Sequence, residues 1–545
     1  MTLKTVVKKG QSVLSLLSEE EKKKYIYCRI DQVIHELTYE FPEDGEKEIY
    51  FFDLTDTLAM KIYASSMCYL TAFAVRELNP RIDIRIFFNI SRSLFVKVVN
   101  PKNFKMSNKF VRRIEEKMKE LVEKDIPFTR MKASKNEAQQ LYKKEKLNDK
   151  VEMLKYRKED FVHFYEAHDG DIRFVDYMTG LLVPSSGYLN KFNVRFYHPG
   201  FVVQIPRAEH GGEIPPFHDE QKFATSLASA SKWAEMNRLS TVSEINRFIK
   251  EFSGMGLINV SEARVNNMLA ELGENIVKSS DPIRLICVAG PSSSGKTSFA
   301  NRLMYELISR GLRPIRISID NFYIPKDQLP KGTDIESIDA LDVDYFNKFL
   351  LGLIQGETLK NPIYEFKTGK RKFGKQIYLE ENQPIIIEGI HALNPLMTNE
   401  IPDYQKYKIY IAPQPQLNVD NHTPISMTDM RLIRRIARDA RTRGSDAKET
   451  IGMWPNVRNG EFKYIYPTQE YADFVFDTFL PYEPCVLRDI VIPQLDKITP
   501  ADPEYITAQR LKYLLKFFIP LEINDIPCNS LMREFVGGSS FLDAR

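Results

Sequence analysis

A turn rich in glycine and serine lies between an apolar run and a helical segment in LICVAGPSSSGKTSFANRL, residues 285–303. Its spacing fits G-x-x-x-x-G-K-[ST], the phosphate-binding loop, whose backbone N–H groups surround phosphate oxygens. The glycines allow the tight turn, and the helix that follows directs its positive end at the bound anion. We therefore predict a nucleotide site formed by Gly290, Ser292, Ser293, Ser294, Gly295, Lys296, Thr297 and Ser298.

Two residues of this loop and two acidic residues downstream suggest phosphoryl transfer. Lys296 would reach the β- and γ-phosphates, and the Thr297 hydroxyl would bind Mg²⁺. Asp320 follows an apolar run in RISIDNFY, and Glu388 follows another in PIIIEGIH. Since strand ends of an open α/β sheet meet at the ligand crevice, both carboxylates should face the γ-phosphate. One would hold Mg²⁺, and the other would accept the proton of an attacking hydroxyl.

A helical segment crowded with arginine, DMRLIRRIARDARTRG, occupies residues 429–444. Like charges at this spacing repel one another unless an anion or carboxylates neutralise them. Arginines on a closing lid stabilise the charge of a phosphoryl-transfer transition state. We favour this lid over a solvated basic helix paired with Asp429 and Asp439. The arginines are Arg431, Arg434, Arg435, Arg438, Arg441 and Arg443.

Other phosphate-binding-loop classes fit less well. A GTPase needs N-K-x-D downstream for guanine, but the nearest match, NKFN at 190–193, lies upstream and lacks the aspartate. The transporter signature L-S-G-G-Q does not occur in the sequence. A base for an alcohol would be idle in a simple NTPase, so Asp320 favours a kinase.

Apolar strand-like runs alternate with amphipathic helical segments from residue 281 onward. This alternation predicts an α/β domain whose parallel sheet is covered by helices. The preceding part reads as α+β. It has strand-like runs at 26–40, 47–54 and 171–206, and helical segments at 57–78, 104–125, 134–158 and 221–280. The tail, 501–545, is expected to be mostly helical.

Composition limits the class of protein. The chain has 545 residues, which suggests about three domains, and 43% apolar residues, which excludes wholesale disorder. The net charge of +3 gives no general argument for nucleic-acid or membrane binding. The cysteines lie far apart, and no run approaches the roughly 18 apolar residues of a membrane span. We expect a soluble, cytoplasmic protein with no membrane partner.

The order of motifs resembles the uridine kinase and phosphoribulokinase branch of P-loop kinases. The motifs are GPSSSGKTSF, SIDNFY, IESIDALDVDYF, NPIYEF, IIIEGIHAL and RLIRRIARDARTRG, within about 281–480. The resemblance implies ATP- and Mg²⁺-dependent phosphorylation of a nucleoside 5′-hydroxyl, with uridine or cytidine as the default in pyrimidine salvage.

The resemblance also assigns roles to individual residues. Asp320 matches the base, and Thr297 and Glu388 match the Mg²⁺ positions. Glu336 stands where the family places a carboxylate on the ribose hydroxyls. The remaining assignments are Tyr323 and Tyr364 as aromatic contacts to the nucleoside, and Arg435 and Arg443 as lid arginines.

Two departures bear on the acceptor. The family carries a histidine that contacts the base five residues beyond the tyrosine matched by Tyr364, where this chain has Gly369. The family's R-G-R in the lid ends here in Ser445, although Arg438 or Arg441 could substitute. Base identity is therefore open.

The front half resembles parts of threonyl-tRNA synthetases. KKGQSVLSLL, IYCRIDQVIHEL and EIYFFDLTD look like a TGS domain, and 57–220 looks like the synthetase's second additional domain. TGLLVPSSGYLNKFNVRFYHPGFVVQIPR, MWPNVRNGEFKYIYP and NSLMREFVGGSSF are similar to bacterial uridine kinase-like proteins with this fusion.

The synthetase domain uses an H-x-x-x-H pair for zinc-dependent editing, but residues 57–78 contain no histidine. His163 and His168 are spaced by five, and His198, His210 and His218 are scattered. We therefore expect no zinc site and a front half that binds or regulates.

The predicted organisation is a TGS-like domain at 1–56, a synthetase-like region at 57–220, a helical linker at 221–280, a P-loop kinase domain at 281–482 and a helical extension at 483–545. Two alternatives remain open. One is a kinase of another small-molecule hydroxyl, such as a sugar or sugar phosphate. The other is an RNA-associated NTPase that uses the front half. A homo-oligomer also remains open.

Overall fold

The structure is a computed structural model that describes residues 1–88, 90–101, 103–279, 283–330, 332–365 and 368–541. Every predicted site residue lies within these ranges.

The first unit is a small antiparallel sheet with one short helix. Its elements are β1 (Thr2–Val7), α1 (Glu19–Lys24), β2 (Tyr27–Ile30), β3 (Val33–His35) and β4 (Gly45–Phe52). The strands lie in the order β1-β4-β2-β3. In β4 the buried Ile49 and Phe51 alternate with the more exposed Glu48 and Tyr50, as a strand with one covered face requires.

The second unit contains two antiparallel sheets and four helices. Its elements are α2 (Thr57–Leu78), β5 (Asp83–Phe88), β6 (Leu94–Asn100), α3 (Asn108–Glu123), β7 (Thr129–Ser134), α4 (Lys135–Lys144), α5 (Asn148–Leu154), β8 (Phe161–Asp169), β9 (Ile172–Asp176), β10 (Asn193–Tyr197) and β11 (Gly200–Gln204). The sheets have the orders β10-β11-β6-β5 and β7-β8-β9. The Asp56 side chain caps α2 by accepting from the N–H groups of Leu58 and Ala59.

Helix α2 is long and apolar enough, by length and composition alone, to cross a membrane. The expectation that no segment approaches this length and composition was therefore wrong. In the structure 78% of its most apolar window is buried within the protein, where the helix packs against α3, β5 and β9.

Three helices connect this unit to the C-terminal part: α6 (Gln221–Met236), α7 (Val242–Phe252) and α8 (Gly254–Lys278). The next elements are β12 (Leu285–Ala289), α9 (Lys296–Ser309), β13 (Ile315–Ser318), α10 (Val343–Ile354), β14 (Leu359–Glu365), β15 (Lys370–Ile377), β16 (Ile385–Glu388), β17 (Lys406–Ala412), β18 (Asn418–Asp420), β19 (Thr423–Pro424), α11 (Met427–Thr442), α12 (Ala447–Gly460) and β20 (Phe474–Asp477). A π-helical turn, Glu461–Ile465, follows α12.

The predicted parallel sheet is confirmed. Five strands lie in the order β13-β16-β12-β17-β20, and every neighbouring pair is parallel. All residues of β12 and β16 are buried, as expected for strands covered on both faces. The last helices, α13 (Glu483–Leu495), α14 (Tyr505–Leu515) and α15 (Arg533–Val536), pack on this domain. The tail is thus less helical than expected, because residues 516–532 are irregular apart from one short turn.

The front half and the sheet domain share a buried ionic contact, which we call the hairpin cluster. Lys150 Nζ lies 3.1 Å from Asp420 Oδ1 on β18 and 3.2 Å from Asp176 Oδ1 on β9, and all three side chains are fully buried. The β18–β19 hairpin also accepts a backbone hydrogen bond at Asn421 O from the Ile86 N–H, at 2.9 Å. The two halves are therefore joined by paired charges as well as by apolar packing.

Candidate active site

The phosphate-binding loop connects β12 to α9, and its two glycines are required by its geometry. A Cβ added to Gly290 would lie 2.2 Å from the carbonyl oxygen of Ile411 on β17. Gly295 has φ +92°, a left-handed conformation that side chains other than glycine rarely adopt. The backbone therefore turns into α9 as the sequence motif predicts.

Three serine hydroxyls of the loop are buried without a hydrogen-bond partner among the described residues. They belong to Ser293, Ser294 and Ser298, each at most 2% exposed. Buried polar groups are nearly always paired in folded proteins. Unpaired hydroxyls in a glycine-rich turn at a helix N-terminus fit the oxygens of a bound phosphate.

Lys296 lies at the start of α9, and its ammonium folds back over the loop. Nζ donates to the carbonyl oxygens of Gly290 at 3.0 Å and Pro291 at 3.2 Å. Burial lowers the pKa of Lys296, and the charges of Glu388 and Asp320 oppose this shift. The lysine is therefore placed close to both predicted carboxylates.

Strand register brings these carboxylates together. Glu388, the last residue of β16, pairs with Ser318 of β13 and Val288 of β12, so it lies at the strand ends beside the loop. Asp320 follows Ser318 by two residues. Burial raises the pKa of both acids, and the negative charge of Asp320 raises the pKa of Glu388 further.

These groups fit a magnesium ion better than a softer metal. Carboxylate and hydroxyl oxygens are the protein ligands that Mg²⁺ prefers, and a cation would relieve the repulsion between Asp320 and Glu388. Within the described ranges, no group of three or more His, Cys, Asp or Glu side chains could hold a metal. Thr297 and Glu388 would therefore share the ion with phosphate oxygens and water.

The histidines in the front half do not form a metal site in the described residues. His163 and His168 both lie on β8. His168 Nε2 is 2.6 Å from Glu166 Oε1, an ordinary contact along one strand.

Glu336 lies in the same crevice as the catalytic candidates. Burial raises the pKa of its carboxyl, the positive charges of Arg435 and Lys296 lower it, and the charge of Asp320 raises it again. His391 Nε2 lies 2.9 Å from Glu336 O and fixes the backbone of this loop. The sequence analysis missed His391, although it directly follows IIIEGI.

The predicted aromatic residues contact each other. The rings of Tyr323 and Tyr364 have centroids 5.6 Å apart and are tilted by 48°. The Tyr323 hydroxyl donates to Ile335 O at 3.2 Å, and the Tyr364 N–H donates to Asn321 Oδ1 at 3.1 Å. They form a continuous apolar wall rather than two parallel plates.

The glycine in place of the family histidine has a structural reason. Gly369 has φ +66°, and an added Cβ would lie 2.7 Å from Lys326 Cβ. Its N–H donates to Glu365 O at 2.8 Å. The backbone at Gly369 therefore leaves no room for a base-reading side chain at this position. The second departure, Ser445, follows Gly444, which also has positive φ (+70°).

Two arginines of α11 are structural rather than parts of a lid. Arg431 and Arg434 are at most 1% exposed and form bidentate pairs with Glu461 and Glu483. Arg431 Nε also donates to Ser292 O at 2.9 Å. The lid interpretation is therefore wrong for both residues, because carboxylates within the protein neutralise them and fix them beneath the loop.

Two other arginines of this segment face the crevice. Arg435 Nη1 donates to the hydroxyl of Ser292 at 2.8 Å, and its Nε lies 3.1 Å from Asp439 Oδ2. The side chain of Arg443 is 54% exposed, and its charge lowers the pKa of Asp320 against the effect of burial. A phosphate contact of Arg435 and Arg443 stays a prediction.

Comparisons with known proteins cover the same region. The Phosphoribulokinase / Uridine kinase family matches residues 285–481. The uridine kinase of Bacillus pumilus is 31% identical over 196 residues, which are 35% of this chain and 84% of that protein. The uridine kinase of Halalkalibacterium halodurans is 29% identical over 196 residues, with the same shares of both chains. That of Saccharomyces cerevisiae is 29% identical over 198 residues, which are 36% of its length.

The matched region begins at β12 and ends just after β20, so it contains the loop, both acidic strand ends and α11. This chain covers most of the length of a bacterial relative at 31% identity. Together with the parallel sheet and its phosphate-binding loop, this match shows that the chain belongs to the Phosphoribulokinase / Uridine kinase family.

Proposed function

We propose that this protein is a cytoplasmic, ATP-dependent nucleoside kinase that transfers the γ-phosphoryl group to the 5′-hydroxyl, with uridine or cytidine as the default acceptor. The observation that carries the proposal is the grouping of Lys296, Asp320, Glu336 and Glu388 around one phosphate-binding loop. The charges of these residues shift one another's pKa, so the group that would contact phosphate and the groups that would contact the acceptor lie close together. The similarity to uridine kinases supports the same reaction.

Asp320 is the proposed base. It takes the proton of the acceptor hydroxyl while that oxygen forms a bond to the γ-phosphorus, and the bond to the bridging oxygen breaks to release ADP. Its raised pKa suits it to hold this proton, whereas an ordinary aspartate would be a weaker base.

The remaining groups stabilise charge. Lys296 would move from its loop carbonyls to the β- and γ-phosphates, and Arg435 and Arg443 would contact the transferring group. Mg²⁺, held by Thr297 and Glu388, supplies Lewis-acid neutralisation of the phosphate oxygens when bound.

The acceptor would bind between Glu336 and the wall formed by Tyr323 and Tyr364. A carboxylate suits two vicinal ribose hydroxyls, and a tyrosine face accepts any flat base. Gly369 has no side chain that could hydrogen-bond to the edge of a base. A wrong base would therefore leave no buried polar group at this position without a partner, so the energetic penalty against it is small. We therefore propose weaker base discrimination than in uridine kinases that carry the histidine.

The front half is proposed to be a TGS-like domain at 1–56 and a synthetase-like region at 57–220, followed by the linker at 221–280, the kinase domain at 281–482 and the extension at 483–545. Sequence resemblance supports this division. Contact with RNA through the front half is part of the same proposal.

A panel of acceptors with the full-length protein tests the function. It compares uridine, cytidine, inosine, adenosine, ribulose 5-phosphate and pantothenate, with Asp320→Asn as the matched inactive variant. Comparable kcat/KM for several nucleosides supports the proposal. Strict preference for uridine would show that another residue reads the base. Activity only on a non-nucleoside, or ATP turnover that needs RNA and no alcohol, would replace the proposal with one of the alternatives.

A further inference from the structure

The C-terminal segment 530–541 lies against the phosphate-binding loop and is anchored there. Leu531, Met532 and Phe535 are at most 1% exposed. The Ser530 hydroxyl donates to Glu262 Oε1 at 2.6 Å. The guanidinium of Arg434, which supports the loop from below, stacks on the ring of Phe535 at 4.8 Å. The backbone of this segment is therefore a fixed wall of the site.

One side chain of this wall reaches into the anion site. Glu534 Oε2 accepts a hydrogen bond from the Ser298 N–H at 3.0 Å. Ser298 lies in the first turn of α9, where N–H groups have no partner within the helix and bind phosphate in nucleotide sites.

We propose that the Glu534 carboxylate is a resident competitor of the nucleotide phosphates, and that it must leave the first turn of α9 before a nucleotide binds. This inference rests on the proposed function only in requiring that a nucleotide binds the loop. According to this inference, Glu534 determines how tightly the loop binds a nucleotide. None of the residues predicted from the sequence has this role.

The structure provides a position to which the displaced carboxylate can turn. Arg441 Nη2 donates to Glu534 O at 2.9 Å, so its guanidinium already lies beside this residue. Burial lowers the pKa of Arg441, and the charge of Glu534 opposes that shift. Rotation of the Glu534 side chain would exchange the Ser298 N–H for this guanidinium while Met532 and Phe535 hold the backbone in place.

Competition of this kind has a defined size. The apparent affinity of a ligand is reduced by the fraction of molecules whose site is open. A carboxylate that occupies the N–H in nine of ten molecules weakens nucleotide binding about 10-fold. Removing its charge should therefore tighten binding by roughly that factor.

The test is isothermal titration of ADP into the full-length protein and its variants, in EDTA and again in excess Mg²⁺. Glu534→Gln keeps the size of the side chain and removes its charge, and Glu534→Ala removes the contact. Glu522→Gln, at an exposed position of the same C-terminal region, is the matched control. We expect both Glu534 variants to bind ADP on the order of 10-fold tighter in both buffers, and the control to bind as the wild type does.

The other outcomes overturn the inference in distinguishable ways. Unchanged affinity would show that the contact does not compete. Weaker binding only in Mg²⁺ would make Glu534 a metal-site residue, and weaker binding in both buffers would make it part of the nucleotide site. If neither wild type nor variants bind ADP, the inference and the proposed function both fail. If the variants bind more tightly but no acceptor in the panel is phosphorylated, only the proposed function fails.

Discussion

Two arginines of the arginine-rich segment should respond differently to the same substitution. Arg434, in the middle of α11, is 1% exposed, whereas Arg443, just past its end, has a side chain that is 54% exposed. We expect Arg434→Met to destabilise the fold strongly, and Arg443→Met to leave the fold intact and lower the rate of phosphoryl transfer.

The size of the first effect follows from the contacts of Arg434. Its Nε donates to Glu483 Oε2 at 2.7 Å, its Nη2 donates to Thr478 O at 2.7 Å, and its Nη1 reaches Ser293 O at 3.3 Å. Methionine fills part of the space but leaves the Glu483 carboxylate buried without its cation. Breaking a buried pair in this way costs about 3–5 kcal/mol. At 2–4 °C per kcal/mol for a domain of this size, the melting temperature should fall by about 6–20 °C.

Tryptophan fluorescence can follow this unfolding transition. Trp454 of α12 lies under the guanidinium of Arg431, which is on α11 together with Arg434. The double variant Arg434→Met/Glu483→Gln should lose less stability than the sum of the two single changes, since the residues interact directly. A melting temperature for Arg434→Met that falls no further than that of Arg443→Met would refute the structural role. Strict additivity in the double variant would refute the pairing.

Further outcomes are expected for Lys296→Ala, for Asp320→Asn, for the pH profile and for the zinc content. Lys296→Ala should abolish phosphoryl transfer with little change in melting temperature, since the amine donates to loop carbonyls and its loss removes no apolar core packing. Wild-type activity in a folded variant would contradict the loop assignment. Asp320→Asn should reduce kcat by about 10²–10⁴ while the Kd for ADP stays unchanged, and kcat/KM of the wild type should fall as pH drops through the raised pKa of Asp320. Asp320→Asn should also raise the melting temperature at neutral pH. Burial raises the pKa of Asp320 in the folded state, so ionising this carboxyl costs stability as the pH rises through the raised pKa, and asparagine does not ionise. A lower melting temperature would contradict this. Elemental analysis of the full-length protein should find no stoichiometric zinc, and one tightly held zinc per chain would revive an editing-like hydrolase.

The parts of the site that were predictable are those with local signals. The loop motif predicts the backbone of the loop, because positions 290 and 295 accept glycine without a steric clash or strain. Asp320 and Glu388 could be placed at one edge because buried parallel strands end there together. The alternation of apolar runs with amphipathic helical segments also predicted the parallel sheet, which the five parallel strands confirm.

The parts that were missed depend on partners far apart in the chain. An arginine-rich helix looks the same whether its charges meet phosphate or buried carboxylates, and Glu483 lies 49 positions from Arg434. Glu534 lies 236 positions from Ser298, and no local pattern marks it. Strands β5 and β6 were overlooked, although RIDIRI alternates in side-chain type and SLFVKVV is rich in β-branched and aromatic residues.

The hairpin cluster has a consequence for how such a chain can be inherited. Its ammonium belongs to Lys150, and the carboxylates that surround it come from Asp149 and Asp176 in the front half and Asp420 in the kinase domain. A front half that lacks Lys150 would leave Asp420 of this kinase domain buried without its cation, whereas a foreign kinase domain would leave Lys150 paired with Asp149 and Asp176. Recombination can therefore pass on this kinase domain only with a front half that supplies Lys150, unless a neutral residue replaces Asp420 in the same exchange.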